Sequence, residues 1–102
     1  MEIKKEQILL ALQSALLGEI YSSIRAIVFK YEANNHYFLL RYYLDREPND
    51  DDFENVEIVI TEFISNFKFT DFDKTKGECK YTTLPLSNLD VMDGIVYCRK
   101  EN

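Results

Sequence analysis

Residues 23–45, SIRAIVFKYEANNHYFLLRYYLD, decide the fold. Ser23–Glu32 is dense in β-branched and aromatic side chains, which suit a pleated, half-buried surface. His36–Asp45 repeats that pattern, and Ala33-Asn34-Asn35 between them is a turn, since asparagine tolerates positive φ. The spacing predicts a β-hairpin. On its second strand Phe38, Leu40, Tyr42 and Leu44 share one face, and Tyr37, Leu39, Arg41 and Tyr43 share the other. Both faces are substantially apolar, so helices should cover one, and the other should not stand plainly in water.

Toward the N-terminus, Ile8, Leu9, Leu12, Ala15, Leu16 and Leu17 recur at i, i+3, i+4, i+7 spacing. This predicts a helix over residues 2–17, with Lys4, Lys5, Glu6 and Gln13 outside and Gly18 as its left-handed cap. Toward the C-terminus, Arg46-Glu47-Pro48 breaks the hairpin, and Asn49-Asp50-Asp51-Asp52 opens a second helix. Asn or Asp caps such a start, and carboxylates in the first turn complement its positive end. Phe53, Val56, Ile60, Phe63, Ile64 and Phe67 then follow a helical period. Residues 73–77 read as a polar turn, 78–84 as a strand, 85–93 as a loop and 94–99 as a final strand. The order α-β-β-α-β-β with short links predicts an α+β fold. Its expected form is a four-stranded antiparallel sheet with both helices packed on one face, in a single domain over 1–102.

The charge is unevenly placed. Of 18 acidic and 12 basic residues, which give a net −6, eight carboxylates lie between Asp45 and Glu62 against Arg46 alone. That segment carries −7, more than the whole chain. Such a balance disfavours nucleic acid and anionic membrane as partners and suits a basic protein surface. No run reaches the ~20 apolar residues that span a bilayer, and MEIKKEQILLALQSALLG reads as a helix of the mature chain, not a leader. Cys79 and Cys98 lack a CxxC or ligand-cluster spacing and are expected to be free thiols in the cytoplasm.

Chemistry is harder to find. Asp45, Glu47 and Asp50-Asp51-Asp52 are hard oxygen ligands, but the EF-hand spacing is unmatched and consecutive Asp side chains diverge. His36, the only histidine, has neither a nucleophile nor an orienting carboxylate near it in sequence. The three glycines form no phosphate-cradling loop. No enzyme, metal or cofactor is therefore expected. What remains is an acidic helix start beside a tyrosine-rich strand. Asp45, Glu47, Asp50, Asp51, Asp52, Glu54 and Glu57 are the expected charged contacts to a partner, with Tyr37 and Tyr43 as aromatic anchors. This expectation requires the carboxylates to be presented together and free of the chain's own cations.

The run LLGEIYSSIRAIVFKYEANNHYFLLRYYLDREPNDDDFENVEIVITEFISNF resembles bacterial immunity proteins encoded beside polymorphic and contact-dependent growth-inhibition toxins. The likeness rests on several short motifs. They are Leu17-Gly18 followed by Arg25-Ala26; Arg41-Tyr42-Tyr43 then Asp45; Glu47-Pro48 before an acidic helix start; Thr61-Glu62; and Val96-Tyr97-Cys98-Arg99-Lys100. Ser22-Ser23 replaces a more usual Pro-Asn pair, and residues 73–83 are unusually polar. The resemblance implies a cytoplasmic inhibitor of a toxin domain, in many cases a nuclease with a basic cleft. Two other classes stay open from the residues alone: an adaptor or self-associating subunit, and a small enzyme or metal binder. The oligomeric state is not legible.

Overall fold

The computed structural model describes residues 3–101. Helix α1 spans Lys5–Ala15; its expected beginning at Glu2 lies outside the described residues. The chain leaves α1 through Gly18, whose φ of 78° is the left-handed conformation anticipated for it. Strand β1 (Ile24–Glu32) and strand β2 (Tyr37–Leu44) form the hairpin, joined by a 3-10 turn at Ala33–Asn35 with His36 at φ 51°. Helix α2 (Asp50–Ile64) follows, then β3 (Lys74–Tyr81) and β4 (Gly94–Cys98).

The sheet order is β3-β2-β1-β4. β1 pairs antiparallel with β2 and β4, but β2 and β3 run parallel, so the expected all-antiparallel sheet is corrected to a mixed one. The physical reason is α2. A 15-residue helix between two strands carries the chain back along the sheet, so the next strand enters in the same direction as the last. β3 also begins earlier than expected: Lys74–Gly77 is strand, not turn. At a sheet edge a strand needs neither alternation nor burial, which is why a lysine-rich segment can serve.

Both helices lie on the face bearing Ile27 and Phe29 of β1 and Phe38, Leu40, Tyr42 and Leu44 of β2. Phe38 and Phe63 stack with centroids 4.3 Å apart, and Phe72 closes the aromatic cluster. Each such side chain contributes roughly 1.5–3 kcal/mol by leaving water. The second face is also covered. β3 and β4 stand at opposite edges, so the connecting segment 82–93 crosses the sheet as a strap. Its Leu86, Leu89 and Met92 pack on Ala26, Val28 and Tyr43. This accounts for the apolar character of both faces of β2. Among the described residues no helix is long and apolar enough to cross a membrane.

The C-terminal residues tie back to the sheet. Glu101 accepts from Arg25 Nε and Nη2 at 2.9 and 2.8 Å, and its carboxyl is held down near about 2, first by Arg25 and then by Arg99. Cys79 is buried on β3 and Cys98 exposed on β4. The sheet order puts two strands between them, and both are free thiols.

Candidate partner-binding surface

α2 forms because Asn49 caps it and three aspartates follow. Asn49 Oδ1 accepts from the Asp52 amide at 3.2 Å, and the Asp52 carboxylate accepts from the Asn49 amide at 2.8 Å. Val56, Val59, Ile60 and Phe63 face the core. Opposite them, Asp50, Glu54 and Glu57 (i, i+4, i+7) line one stripe, and Asp51, Ile58 and Glu62 (i, i+7, i+11) line the next. From Asp50 to Glu62 the surface runs about 18 Å along the axis. All five carboxylates are exposed, as is Glu47 just before the helix. None of the six has an ion-pair partner among the described residues.

Two of the expected charged contacts are tied up by the chain's own arginines. Asp52 is 1 % exposed. It accepts from Arg46 Nη1 and Nη2 at 2.6 and 2.9 Å and from the Tyr21 hydroxyl at 2.5 Å. Its carboxyl is lowered to about 2, chiefly by the Arg46 hydrogen bonds. Burial and the neighbouring carboxylate push the Tyr21 hydroxyl well above its ordinary value. Asp45 is exposed but held by Arg99 Nη1 at 2.7 Å. Asp52 is thus corrected from contact to internal support, and Asp45 from free charge to half of an ion pair.

The tyrosines lie elsewhere. Tyr43 is 5 % exposed and cannot anchor a partner in this conformation. Its hydroxyl donates to the Asp90 carbonyl at 2.7 Å and accepts from Arg41 at 3.0 Å, which pins the strap. Tyr37 is half-buried on that strap-side face, beside Lys30, Leu39, Arg41 and Met92. The sheet therefore separates both tyrosines from α2, and the acidic helix and the tyrosines do not form one surface. The apolar groups that do accompany the carboxylates on α2 are Ile58, 45 % exposed, and Phe53, 43 % exposed. The helical period had assigned Phe53 to the core. Ile58 was not singled out from the sequence, although its position four residues after Glu54 and seven after Asp51 puts it on the acidic side of the helix.

His36 is exposed at the hairpin turn. Among the described residues no three His, Cys, Asp or Glu side chains are grouped to hold a metal ion. What the geometry offers is an acidic helix face with an apolar centre, on a rigid sheet.

A family model described as MafI2 immunity protein matches residues 5–101. The chain belongs to the MafI2 immunity protein family. The match takes in both helices and all four strands. The likeness to bacterial immunity proteins of polymorphic toxin systems therefore holds at the level of the family. Membership in the MafI2 family implies a toxin protein as partner. No curated protein matches the chain.

Proposed function

We propose that this immunity protein neutralises its toxin by stoichiometric binding through the outer face of α2. The observation that carries this is six carboxylates without an ion-pair partner among the described residues, five of them on one side of a capped helix, with Ile58 among them. Charge of one sign on a rigid element steers an oppositely charged partner and raises its association rate. An apolar side chain in the middle supplies the contact that slows dissociation. The partner is a basic toxin domain. A nuclease fits best, since its substrate groove already attracts anions and a carboxylate face competes there with phosphate. The system is of the contact-dependent inhibition or a related polymorphic-toxin type, and the site of action is the cytoplasm, where such a toxin would reach nucleic acid.

The test is association kinetics with the cognate toxin domain. Asp50→Lys with Glu54→Lys and Glu57→Lys should slow association about tenfold or more at low salt, with the gap closing as ionic strength rises. Unchanged rates at low salt would remove α2 from the interface. Protection without any complex would remove binding as the mechanism.

A further inference from the structure

We infer that the open edge of β3 seats an extended segment of the toxin, which joins the sheet as an added strand. The inference rests on the α2 proposal and deepens it, because the acidic stripe of that helix overlooks this edge. β3 is eight residues long and stands at the margin of the sheet. It follows β2 in unbroken register from Tyr37 and Lys74 to Leu44 and Tyr81. The amides of Lys74 and Thr82 donate to the His36 and Leu44 carbonyls. In a parallel pair alternate residues serve the neighbouring strand, so Lys76, Glu78 and Lys80 between them also turn their backbone groups to β2. Thr75, Gly77, Cys79 and Tyr81 turn theirs outward, and among the described residues no further strand takes them up. Such a row is a template for another chain's backbone.

The two faces of this edge carry opposite charge. The odd positions face α2: a Cβ at Gly77 would meet Val56, Glu57 and Ile60, and Cys79 belongs to the core beneath the helices. Glu57 Oε1 lies 2.9 Å from the point where that Cβ would stand, so its carboxylate comes down beside the strand. Glu54 and Asp50 share its stripe, one and two turns earlier. The even positions face the strap side, where Glu78 pairs with Arg41 at 2.7 Å. Lys74, Lys76 and Lys80 alternate on that side and are exposed. Lys74 and Lys80 have no ion-pair partner among the described residues.

That pattern selects the occupant. An added strand alternates sides as β3 does. Lysine or arginine at every second position would meet the Asp50, Glu54 and Glu57 stripe, and acidic residues between them would meet the lysines. A segment of a basic toxin domain can carry this alternation. A second copy of the chain cannot, since two β3 edges would set lysines against lysines on one face and α2 carboxylates against carboxylates on the other. Lysines on an edge ordinarily discourage pairing; confined to one face, they reject most strands and admit one of matching charge. Backbone hydrogen bonds then supply affinity, and the two charged rows fix the register.

Amide hydrogen exchange of the chain, free and in complex with its cognate toxin domain, tests the inference residue by residue. In the free chain the outward amides of Thr75, Gly77, Cys79 and Tyr81 should exchange faster than those of Lys76, Glu78 and Lys80. In the complex the outward amides should slow at least tenfold more than their even-numbered neighbours. Thr75→Pro removes an outward N–H and no bond to β2. It should raise the dissociation constant at least tenfold while the thermal melt shifts by a few degrees at most. A complex whose outward amides exchange as in the free chain overturns the inference, and so does a folded Thr75→Pro variant that binds like wild type. The α2 proposal is scored apart, by the association rate of the triple lysine variant. Slowed association with unprotected β3 amides removes the edge and keeps α2; protected amides with unaltered association keep the edge and remove α2.

Discussion

Asp50, Asp51 and Asp52 are the same residue in consecutive positions, and the helix sends them to different work. Asp52 turns inward and joins Asn49, Arg46 and Tyr21; its neighbours face water, and among the described residues no cation holds them. Asp52→Asn should cost about 2–3 kcal/mol at pH 7, from a weakened cap and two donors losing their charged acceptor. Asp51→Asn should cost about 0.5 kcal/mol or less. The pH dependence has a definite sign. The Asp52 carboxyl is lowered in the folded state from 3.8 to about 2. Its stabilisation is therefore present above about pH 4 and disappears as pH falls through about 2. Thermal melts of wild type and Asp52→Asn should be far apart at pH 7 and converge toward pH 2. Melts separated by the same gap at both ends would assign the loss to something other than the carboxylate.

At the scale of elements, α2 sets both the topology and the surface. It crosses from β2 to β3 and packs so tightly on β3 that a Cβ at Gly77 would stand 2.7 Å from Val56 Cγ1 and 2.9 Å from Glu57 Oε1. Val56 is fully buried and cannot yield freely. Gly77→Ala should therefore destabilise by about 1–3 kcal/mol in urea unfolding. It should also disturb toxin binding through the tilt of α2, whereas a residue that only closes a turn would tolerate alanine. Much of this element was readable in the amino-acid sequence: the Asn49 cap, the 3.6-residue period and the carboxylate stripe are local, and so is the hairpin before them. The direction of β3 was not. Parallel or antiparallel entry depends on where a nine-residue link after α2 delivers the chain, and no local pattern records that. The inward turn of Asp52 was equally hidden, because it depends on Tyr21, thirty-one residues away. Tyr43 was misplaced for a related reason. An alternating strand tells which side a residue takes, but not that a distant strap will bury that side.

For the molecule as a whole, the strap makes the sheet a middle layer. Ile24–Phe29 of β1 is buried without interruption, beneath helices on one face and segment 82–93 on the other. Native-state hydrogen exchange should find its slowest amides there and in the facing part of β2. Tyr43→Phe removes the hydroxyl that holds the strap through Asp90, worth about 1 kcal/mol. Exchange over residues 86–93 should quicken about fivefold while α2 is unchanged. Equal acceleration in both would mean a global loss of stability rather than a loosened strap. The same wiring bears on synthesis. The partner of β1 on one side, β4, follows the other three strands in the sequence, and the cover of its second face comes just before it. A chain still emerging from the ribosome therefore has a raw central strand and a bare layer. A chain stopped before residue 82 should therefore be an aggregation-prone fragment, with one edge and one face of β1 bare.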